Sequence, residues 1–253
     1  MSRDRLYHIY GKLQHLIAPS LRYAQDVYEE TLRKVIDSTT KWLDLGCGHR
    51  VLPYWREREE QIMVTRAASV VGLDYDWLGL STHRSIRLRV RGDISALPFR
   101  DNNFDLATAN MVVEHLATPS VQFAEVYRVL KPGGLFVFHT PNAHGYTTLA
   151  ARLVPEHMKA PLISVLDGRP SKDVFKTHYK ANTESRIKQL AETGGFEVVQ
   201  IRFVASAAKF AVVAPLALIE LFWIRLLLSR PFRKWRTNLI VTIRKPQQAA
   251  TIQ

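Results

Sequence analysis

The feature that most constrains this chain is a regular alternation of short apolar segments with helical ones through its first two-thirds. The strand-like segments of this region are 41–46, 69–76, 86–93, 104–110 and 134–141. Strands that alternate with helices pack as a parallel sheet with helices on its faces. In such a sheet, ligands bind beyond the carboxyl ends of the strands. The pattern therefore predicts a doubly wound, mostly parallel α/β sheet with a ligand site at that edge.

The rest of the chain completes the sheet and adds segments around it. Two late strands are predicted at 196–204 and 238–245, which raises the total to seven, and Thr183 is suited to cap a helix that runs to Glu192. We expect one domain over 1–253. Its parts outside the sheet are an N-terminal helical segment (1–40), a segment that covers the substrate site (143–182) and an apolar, then basic, helical insertion before the last strand (205–237).

The chain is strongly basic, with 35 Lys and Arg against 23 Asp and Glu and a net charge of +12. Seven basic residues and no acidic one follow Glu220: Arg225, Arg230, Arg233, Lys234, Arg236, Arg244 and Lys245. This balance is typical of proteins that bind nucleic acid or an anionic membrane surface, although many basic proteins bind neither.

Cysteine content and the first residues bear on the compartment. The single cysteine, Cys47, excludes an intramolecular disulfide, which suits a reducing environment. The first twenty residues contain no apolar run of signal-peptide length. We therefore expect a cytoplasmic protein that is peripheral on the inner face of the membrane if it meets one.

Small and acidic residues stand at three successive predicted strand ends. Gly46-Cys47-Gly48 closes the first strand, Asp74 ends the second and Asp93 ends the third. Glycines let a backbone approach a ligand closely, and a carboxylate at the second strand end can accept hydrogen bonds from both hydroxyls of a ribose. Val51 stands where a full G-x-G-x-x-G loop has its third glycine, which argues against a nicotinamide cofactor.

Four motifs in order resemble class I S-adenosylmethionine-dependent methyltransferases of the type 11-like group. They are WLDLGCG (42–48), VVGLDYD (70–76), GDISALPFRDNNFDLATANMVVEHL (92–116) and VYRVLKPGGLFVFHTPN (126–142). The resemblance covers roughly residues 40–142 and implies a Rossmann-like fold and S-adenosyl-L-methionine as the cofactor. The chain departs from the family at Arg50, where glycine is common.

The resemblance also implies roles for individual residues. The loop after the first strand would line the amino-acid end of the cofactor, the second strand end would hold the ribose, and the third would contact adenine. The residues that this assigns to cofactor binding are Asp44, Gly46, Cys47, Gly48, Asp74, Tyr75, Asp93, Ile94, Asn110 and Met111.

Methyl transfer to a hydroxyl also requires a group that removes a proton, and histidine has a suitable pKa. The candidates are His115, His139, His144 and His178. His115 is the preferred catalytic residue because it follows the strand that faces the cofactor, and Glu114 beside it is expected to orient the loop. No spacing of Cys and His indicates a metal site.

Three classes of function remain open. Residues 178–199 are similar to bacterial methyltransferases that act on cell-envelope glycans and glycolipids, and less closely to quinone-biosynthesis O-methyltransferases. This favours O-methylation of a small or lipid-linked acceptor. An RNA methyltransferase is the second class, although Asn110-Met111-Val112-Val113 lacks the prolines that base-amino methylating enzymes of this fold carry. A non-catalytic, cofactor-binding scaffold at a membrane is the third.

The 205–237 insertion predicts contact with a membrane surface. Ala207 to Leu228 is apolar, but its three charged residues, Lys209, Glu220 and Arg225, disfavour a membrane span. A single crossing would also separate two strands of one sheet. The following run, Arg230 to Arg236, combines cations with aromatic rings, which favours an anionic lipid surface. The alternative is a helical cap or dimer contact.

Overall fold

The computed structural model describes residues 3–154, 176–206 and 214–247. Its centre is a seven-stranded sheet with the strand order β3-β2-β1-β4-β5-β7-β6. The strands are β1 (Lys41–Leu45), β2 (Ser69–Asp74), β3 (Leu88–Arg91), β4 (Phe104–Asn110), β5 (Leu130–Pro141), β6 (Glu197–Val204) and β7 (Asn238–Arg244). The helices are α1 (Arg3–Ile17), α2 (Ala24–Val35), α3 (Glu57–Arg66), α4 (Trp77–Ser81), α5 (Pro119–Val129), α6 (Tyr146–Leu153), α7 (Glu184–Thr193) and α8 (Ala214–Leu228).

The sheet confirms the predicted α/β, mostly parallel architecture. Strand β1 pairs in parallel with both β2 and β4. Strand β2 pairs in parallel with β3, and β4 pairs in parallel with β5. The start of β5 bonds to the residue after the end of β7, since Gly133 N donates to Lys245 O (2.8 Å) and Lys245 N to Gly134 O (2.9 Å). Strand β7 is therefore antiparallel to β5. Strand β5 starts at Leu130 rather than at the predicted 134, because Leu130 already pairs with Phe104 of β4.

Burial follows position in the sheet. The central strand β1 is buried from Trp42 to Leu45, as a strand covered on both faces must be. Residues 86–93 alternate apolar Ile86, Leu88 and Val90 with arginines, a pattern that predicts a half-exposed strand at a sheet edge, and β3 does lie at one edge. Leu88, on the apolar face of this strand, is nevertheless 56% exposed. An edge strand has a neighbour on one side only, so part of its inward face stays open to water.

The chain separates into two compact units. The sheet unit comprises Gln25–Thr140, Thr177–Arg202 and Leu239–Gln253, and the helical unit comprises Met1–Ala24, Pro141–Lys176 and Phe203–Asn238. Residues 155–175 of the predicted covering segment and 207–213 of the predicted insertion lie outside the described residues.

Within the helical unit, α8 packs against α1. Their shared core contains Tyr10, Ile17, Ala18, Ala205, Ala217, Leu221 and Ile224. The charges that interrupt the apolar insertion have partners here: the Glu220 carboxylate accepts from the hydroxyl of Tyr146 (2.7 Å), and the Arg225 guanidinium donates to Ile17 O (2.7 Å). Within the described ranges, no helix has the length and apolar character that a membrane crossing requires.

The turn after β1 leads to a stability prediction. Gly46 and Gly48 both have positive φ (62° and 51°), a conformation that costs an L-residue about 1–2 kcal/mol. A Cβ at Gly46 would lie 2.6 Å from Val112 Cγ2, whereas a Cβ at Gly48 would meet nothing within 4 Å. We expect Gly46→Ala to lower the free energy of unfolding more than Gly48→Ala does, as measured by urea denaturation without ligand.

The double variant Gly46→Ala/Val112→Ala is the control for this comparison. It should recover part of the loss, because it removes the methyl groups that the new Cβ meets. Equal losses for the two single glycine variants would show that the contact with Val112 does not constrain the turn.

Candidate functional site

The candidate site lies in the sheet unit, at the carboxyl ends of three neighbouring strands. Leu45, the last residue of β1, pairs with Leu73 of β2 and with Ala109 of β4. The chain that leaves β1 then bends over the end of β2, since Gly46 N donates to Leu73 O (2.7 Å) and Cys47 N to the same oxygen (3.2 Å). The predicted glycine turn and the predicted acidic strand end are thereby brought together.

Asp74 fastens this turn. Its Oδ2 accepts from Gly48 N and its Oδ1 from Asp76 N, each at 2.8 Å, and the side chain is 8% exposed. Each carboxylate oxygen has a second lone pair, so the group can accept two further hydrogen bonds in a direction that is already set. The space beside Gly48, where a Cβ would meet nothing, lies next to it. Together they form a cradle for a ligand that carries hydroxyl groups.

The Cys47 side chain points away from this cradle. Its Sγ lies 2.8 Å from the position that a Cβ on Gly72 would occupy, so it fills the space that the glycine of β2 leaves. Burial raises the pKa of the thiol well above its usual range. Only the backbone of Cys47 is therefore available to a ligand.

Tyr75 and Asp93 lie at the neighbouring strand ends and are both exposed. Asp93 Oδ1 accepts from the backbone N–H and the hydroxyl of Ser95, each at 2.7 Å, which sets the turn after β3. Ile94 lines a small apolar pocket together with Leu45, Ala109 and Phe123. The third strand end thus contributes a polar group at the surface and an apolar wall beneath it.

Asn110 is held at the end of β4 by a network that the sequence did not indicate. Its side-chain amide pairs reciprocally with that of Gln25 (3.3 Å for each bond) and donates to Val51 O (3.0 Å). The Nδ1–H of His139 donates to Asn110 Oδ1 (2.9 Å). Gln25 belongs to α2, far from any motif, so no pattern in the sequence could have identified it as part of the site.

Met111 turns the chain away from the end of β4. It has a positive φ of 59°, and its N–H donates to His139 O (2.8 Å). The next residue, Val112, is the one that a Cβ at Gly46 would meet. The loop after β4 therefore lies against the glycine turn after β1, and the short 3-10 turn Val113–His115 follows directly.

The four candidate histidines have different environments in the structure. His139 is buried and bonded to Asn110, which makes it a positioning group, and His144 belongs to the helical unit. The segment of His178 borders the residue before His115, because the backbone N–H groups of His178 and Tyr179 donate to the backbone carbonyl of Glu114 at 2.7 and 3.1 Å. His115 is 28% exposed in its side chain, and its Nε2 lies 4.0 Å from Glu114 Oε1.

Glu114 is buried, and a chain of hydrogen bonds holds its carboxylate. Its Oε2 accepts from the hydroxyl of Thr140 (3.0 Å), and Thr140 Oγ1 accepts from Asn182 Nδ2 (2.6 Å). This chain joins the loop after β4, the end of β5 and the segment before α7. Glu114 therefore links three segments around this loop, and its Oε1 lies 4.0 Å from Nε2 of His115.

Asp44 lies inside the sheet rather than at its surface. It is 2% exposed, and its carboxyl accepts from the hydroxyl of Thr108, which in turn accepts from Trp42 Nε1 (2.6 Å). Burial raises the pKa of this carboxyl to about 8, and the nearby carboxylates of Glu60 and Asp74 act in the same direction. Its contact with a ligand would be indirect, through the end of β1 and the turn that begins at Gly46.

The raised pKa of Asp44 predicts a pH-dependent stability. The folded carboxyl titrates near 8 and the unfolded one near 3.8, so its contribution is fully present below pH 3.8 and is lost as the pH rises to 8. In urea denaturation without ligand, the wild type should lose stability between pH 5 and pH 8 relative to Asp44→Asn, whose amide does not titrate. Parallel pH profiles for the two proteins would contradict this assignment.

Known proteins are similar to this chain over the region that contains the candidate site. A family model described as a methyltransferase domain matches residues 43–138. The malonyl-[acyl-carrier protein] O-methyltransferase of Erwinia billingiae is 41% identical over 130 residues, which are 48% of this chain and 47% of that protein. The fatty-acid O-methyltransferase of Mycolicibacterium smegmatis is 34% identical over 123 residues, 46% of this chain and 43% of that protein. The chain spans about half the length of the curated relatives it matches.

A solved structure shares the fold. The S-adenosylmethionine-dependent methyltransferase from Mesorhizobium loti matches with a TM-score of 0.54 at 20% identity, over 85% of this chain and 96% of that one. The matched family region, 43–138, contains the glycine turn, Asp74, Asp93, Asn110 and His115. Residues 43–138 thus match a methyltransferase domain, and the relatives and the solved fold together support a class I S-adenosylmethionine-dependent methyltransferase.

Proposed function

We propose that the protein transfers a methyl group from S-adenosyl-L-methionine to an oxygen atom of a small or lipid-linked acceptor, of the glycan or glycolipid type, at the cytosolic membrane face. The observation that carries the proposal is the contact between two loops: Val112, which precedes the Val113–His115 turn, lies against Gly46 of the glycine turn. A proton-accepting histidine therefore follows directly from the loop that borders the candidate cofactor cradle.

The residues of the cradle fit this cofactor. The preset Asp74 carboxylate suits the two ribose hydroxyls, and the open side of Gly48 suits a close approach of the ligand to the backbone. Exposed Tyr75, Asp93 and the apolar side chain of Ile94 suit the adenine ring. Asn110 and Met111 suit the methionine end. When bound, the cofactor supplies an electrophilic methyl group on a sulfonium.

The protein's own contribution to the reaction is to align the acceptor and manage its proton. An acceptor hydroxyl must lose a proton to become a good nucleophile, and the imidazole of His115 can accept it while Glu114 beside it stabilises the resulting charge. A carboxylate acceptor needs no base because it is already ionised at neutral pH. His115 is therefore needed as a base for a hydroxyl acceptor but not for a carboxylate acceptor.

Two relatives support oxygen as the target and an acyl chain as part of the acceptor. They are named for O-methylation of malonyl-acyl carrier protein and of fatty acids. RNA is the alternative that the net charge of +12 favours, and it makes a different prediction about where the methyl group goes.

Cofactor affinity tests the cradle. Asp74→Ala should lose two charge-assisted hydrogen bonds to the ribose, each worth roughly 1.5–3 kcal/mol, and so lower the affinity for S-adenosylmethionine by at least ~100-fold. Titration calorimetry with S-adenosylmethionine and S-adenosylhomocysteine measures this. Asp101→Asn, an exposed carboxylate at the other edge of the sheet unit, is the matched control. Unchanged affinity in a folded Asp74→Ala protein would remove Asp74 from the site.

Methyl transfer tests the acceptor and the base together. The protein is incubated with labelled S-adenosylmethionine and fractionated bacterial lipid, glycan or RNA, and the labelled product is then treated with alkali. We expect the label in the lipid fraction as an alkali-stable ether, formed at a hydroxyl. His115→Ala should lower its rate by ~10²–10⁴ with little change in cofactor affinity, whereas His8→Ala, on the exposed side of α1, should not.

Other outcomes of this experiment are equally informative. An alkali-labile methyl ester whose formation does not depend on His115 would assign a carboxylate acceptor and no general base. Label in RNA alone would overturn the proposed acceptor class, and normal ether formation by His115→Ala would assign the base elsewhere, with His178 next because it also borders Glu114.

A further inference from the structure

Helix α8 is apolar on both of its sides, although among the described residues only one side is buried. Ala217, Leu221, Ile224 and Leu227 are buried, the first three in the core shared with α1. A surface helix of a water-soluble protein normally carries polar side chains on its other face. Here that face carries large apolar side chains instead, so packing within the helical unit explains only half of the helix.

The uncovered side forms one stripe, which we call the outer stripe. Its residues are Leu216, Leu218, Ile219, Phe222 and Leu226, and the most exposed are Ile219 (67%) and Phe222 (61%). The helical periodicity places Leu218, Ile219, Phe222 and Leu226 opposite the buried side of the helix and Leu216 at its border. A contiguous exposed apolar patch of this kind marks a binding surface rather than ordinary surface composition.

The chain that leaves α8 carries exposed positive charges directly after the carboxyl end of the stripe. Arg230, Arg233 and Lys234 are exposed, and no acidic residue occurs after Glu220. Trp235 is 50% exposed and lies beside Phe232, with 5.6 Å between ring centroids. Tryptophan and basic residues together are characteristic of segments that sit at the boundary between lipid headgroups and acyl chains.

Arg236 differs from the other cations of this run, because it has a structural role. Its guanidinium turns inward and donates to Leu227 O, Leu228 O and Phe203 O, which satisfies carbonyls at the end of α8. The neighbouring cations Arg233 and Lys234 have exposed side chains, and the described part of the chain pairs no carboxylate with them. One arginine of the run thus secures the helix end, and the others are left facing outward.

We propose that the outer stripe and the cations after it bind the surface of an anionic membrane, with α8 lying in the plane of the interface. The helix has 15 residues, a length of about 22 Å, which is too short for a hydrocarbon core of about 30 Å. A second copy of the chain fits less well, because like charges would be brought together. The inference deepens the proposed function and rests on it only for the reason why the protein meets a membrane.

Flotation with vesicles tests the surface. The full chain is mixed with phosphatidylcholine vesicles that contain or lack phosphatidylglycerol, at low salt. The wild type should float only with the anionic vesicles. Arg233→Gln/Lys234→Gln should lower the partition coefficient about 30-fold, since each cation near an anionic leaflet contributes about fivefold. Ile219→Gln/Phe222→Gln should stay at the bottom of the gradient with the same anionic vesicles, because it removes the two most exposed apolar side chains of the stripe.

Controls separate this proposal from the previous one. Ile62→Gln removes a comparably exposed apolar side chain from α3 and should float as the wild type does. All variants should keep wild-type affinity for S-adenosylmethionine, so a failed flotation with normal cofactor binding refutes only the membrane surface. Wild type that stays at the bottom, outer-stripe variants that float normally, or a wild-type dimer that Ile219→Gln/Phe222→Gln converts to a monomer would each overturn it.

Discussion

The candidate site depends on the hydrogen bonds that hold the Gly46–Gly48 turn over the end of β2. Leu73 O receives two N–H groups of the turn, and the Asp74 carboxylate receives a third from Gly48. These bonds require positive φ at both glycines and leave no space for a Cβ at Gly46. The same carboxylate is thereby oriented for a ligand, so the constraint that shapes the turn also prepares the site.

Buried polar groups then position the loops around this turn. Asp44, Thr108 and Trp42 form one hydrogen-bonded chain inside the sheet, and Glu114, Thr140 and Asn182 form another at its edge. A buried polar group without a partner is costly, so each chain restricts its members to a single arrangement. The second chain holds the loop that carries His115 and the segment that carries His178, so it bears on the proposed proton transfer.

The helical unit resolves a conflict within its own sequence. Glu220 and Arg225 would be expensive in a lipid environment, but Tyr146 and Ile17 O provide their partners inside the unit. With those charges partnered, the outward face of α8 is largely apolar, and the exposed charged side chains described between Pro215 and Trp235 are all positive. This division is what a helix at a membrane interface needs: an apolar side against acyl chains and cations at the level of the headgroups.

The sequence alone determined the alternation of strands and helices, the edge position of β3 and the order of acidic and glycine residues at successive strand ends. These are local properties: apolar periodicity and turn chemistry depend on neighbours along the chain. Only the tertiary structure decided that Asp44 lies inside the sheet, that Gln25 and His139 hold Asn110, and that the segment of His178 borders Glu114. It also decided which face of α8 is covered. These relations join residues that are distant in sequence and leave no periodic pattern, because they arise only when separate elements are packed together.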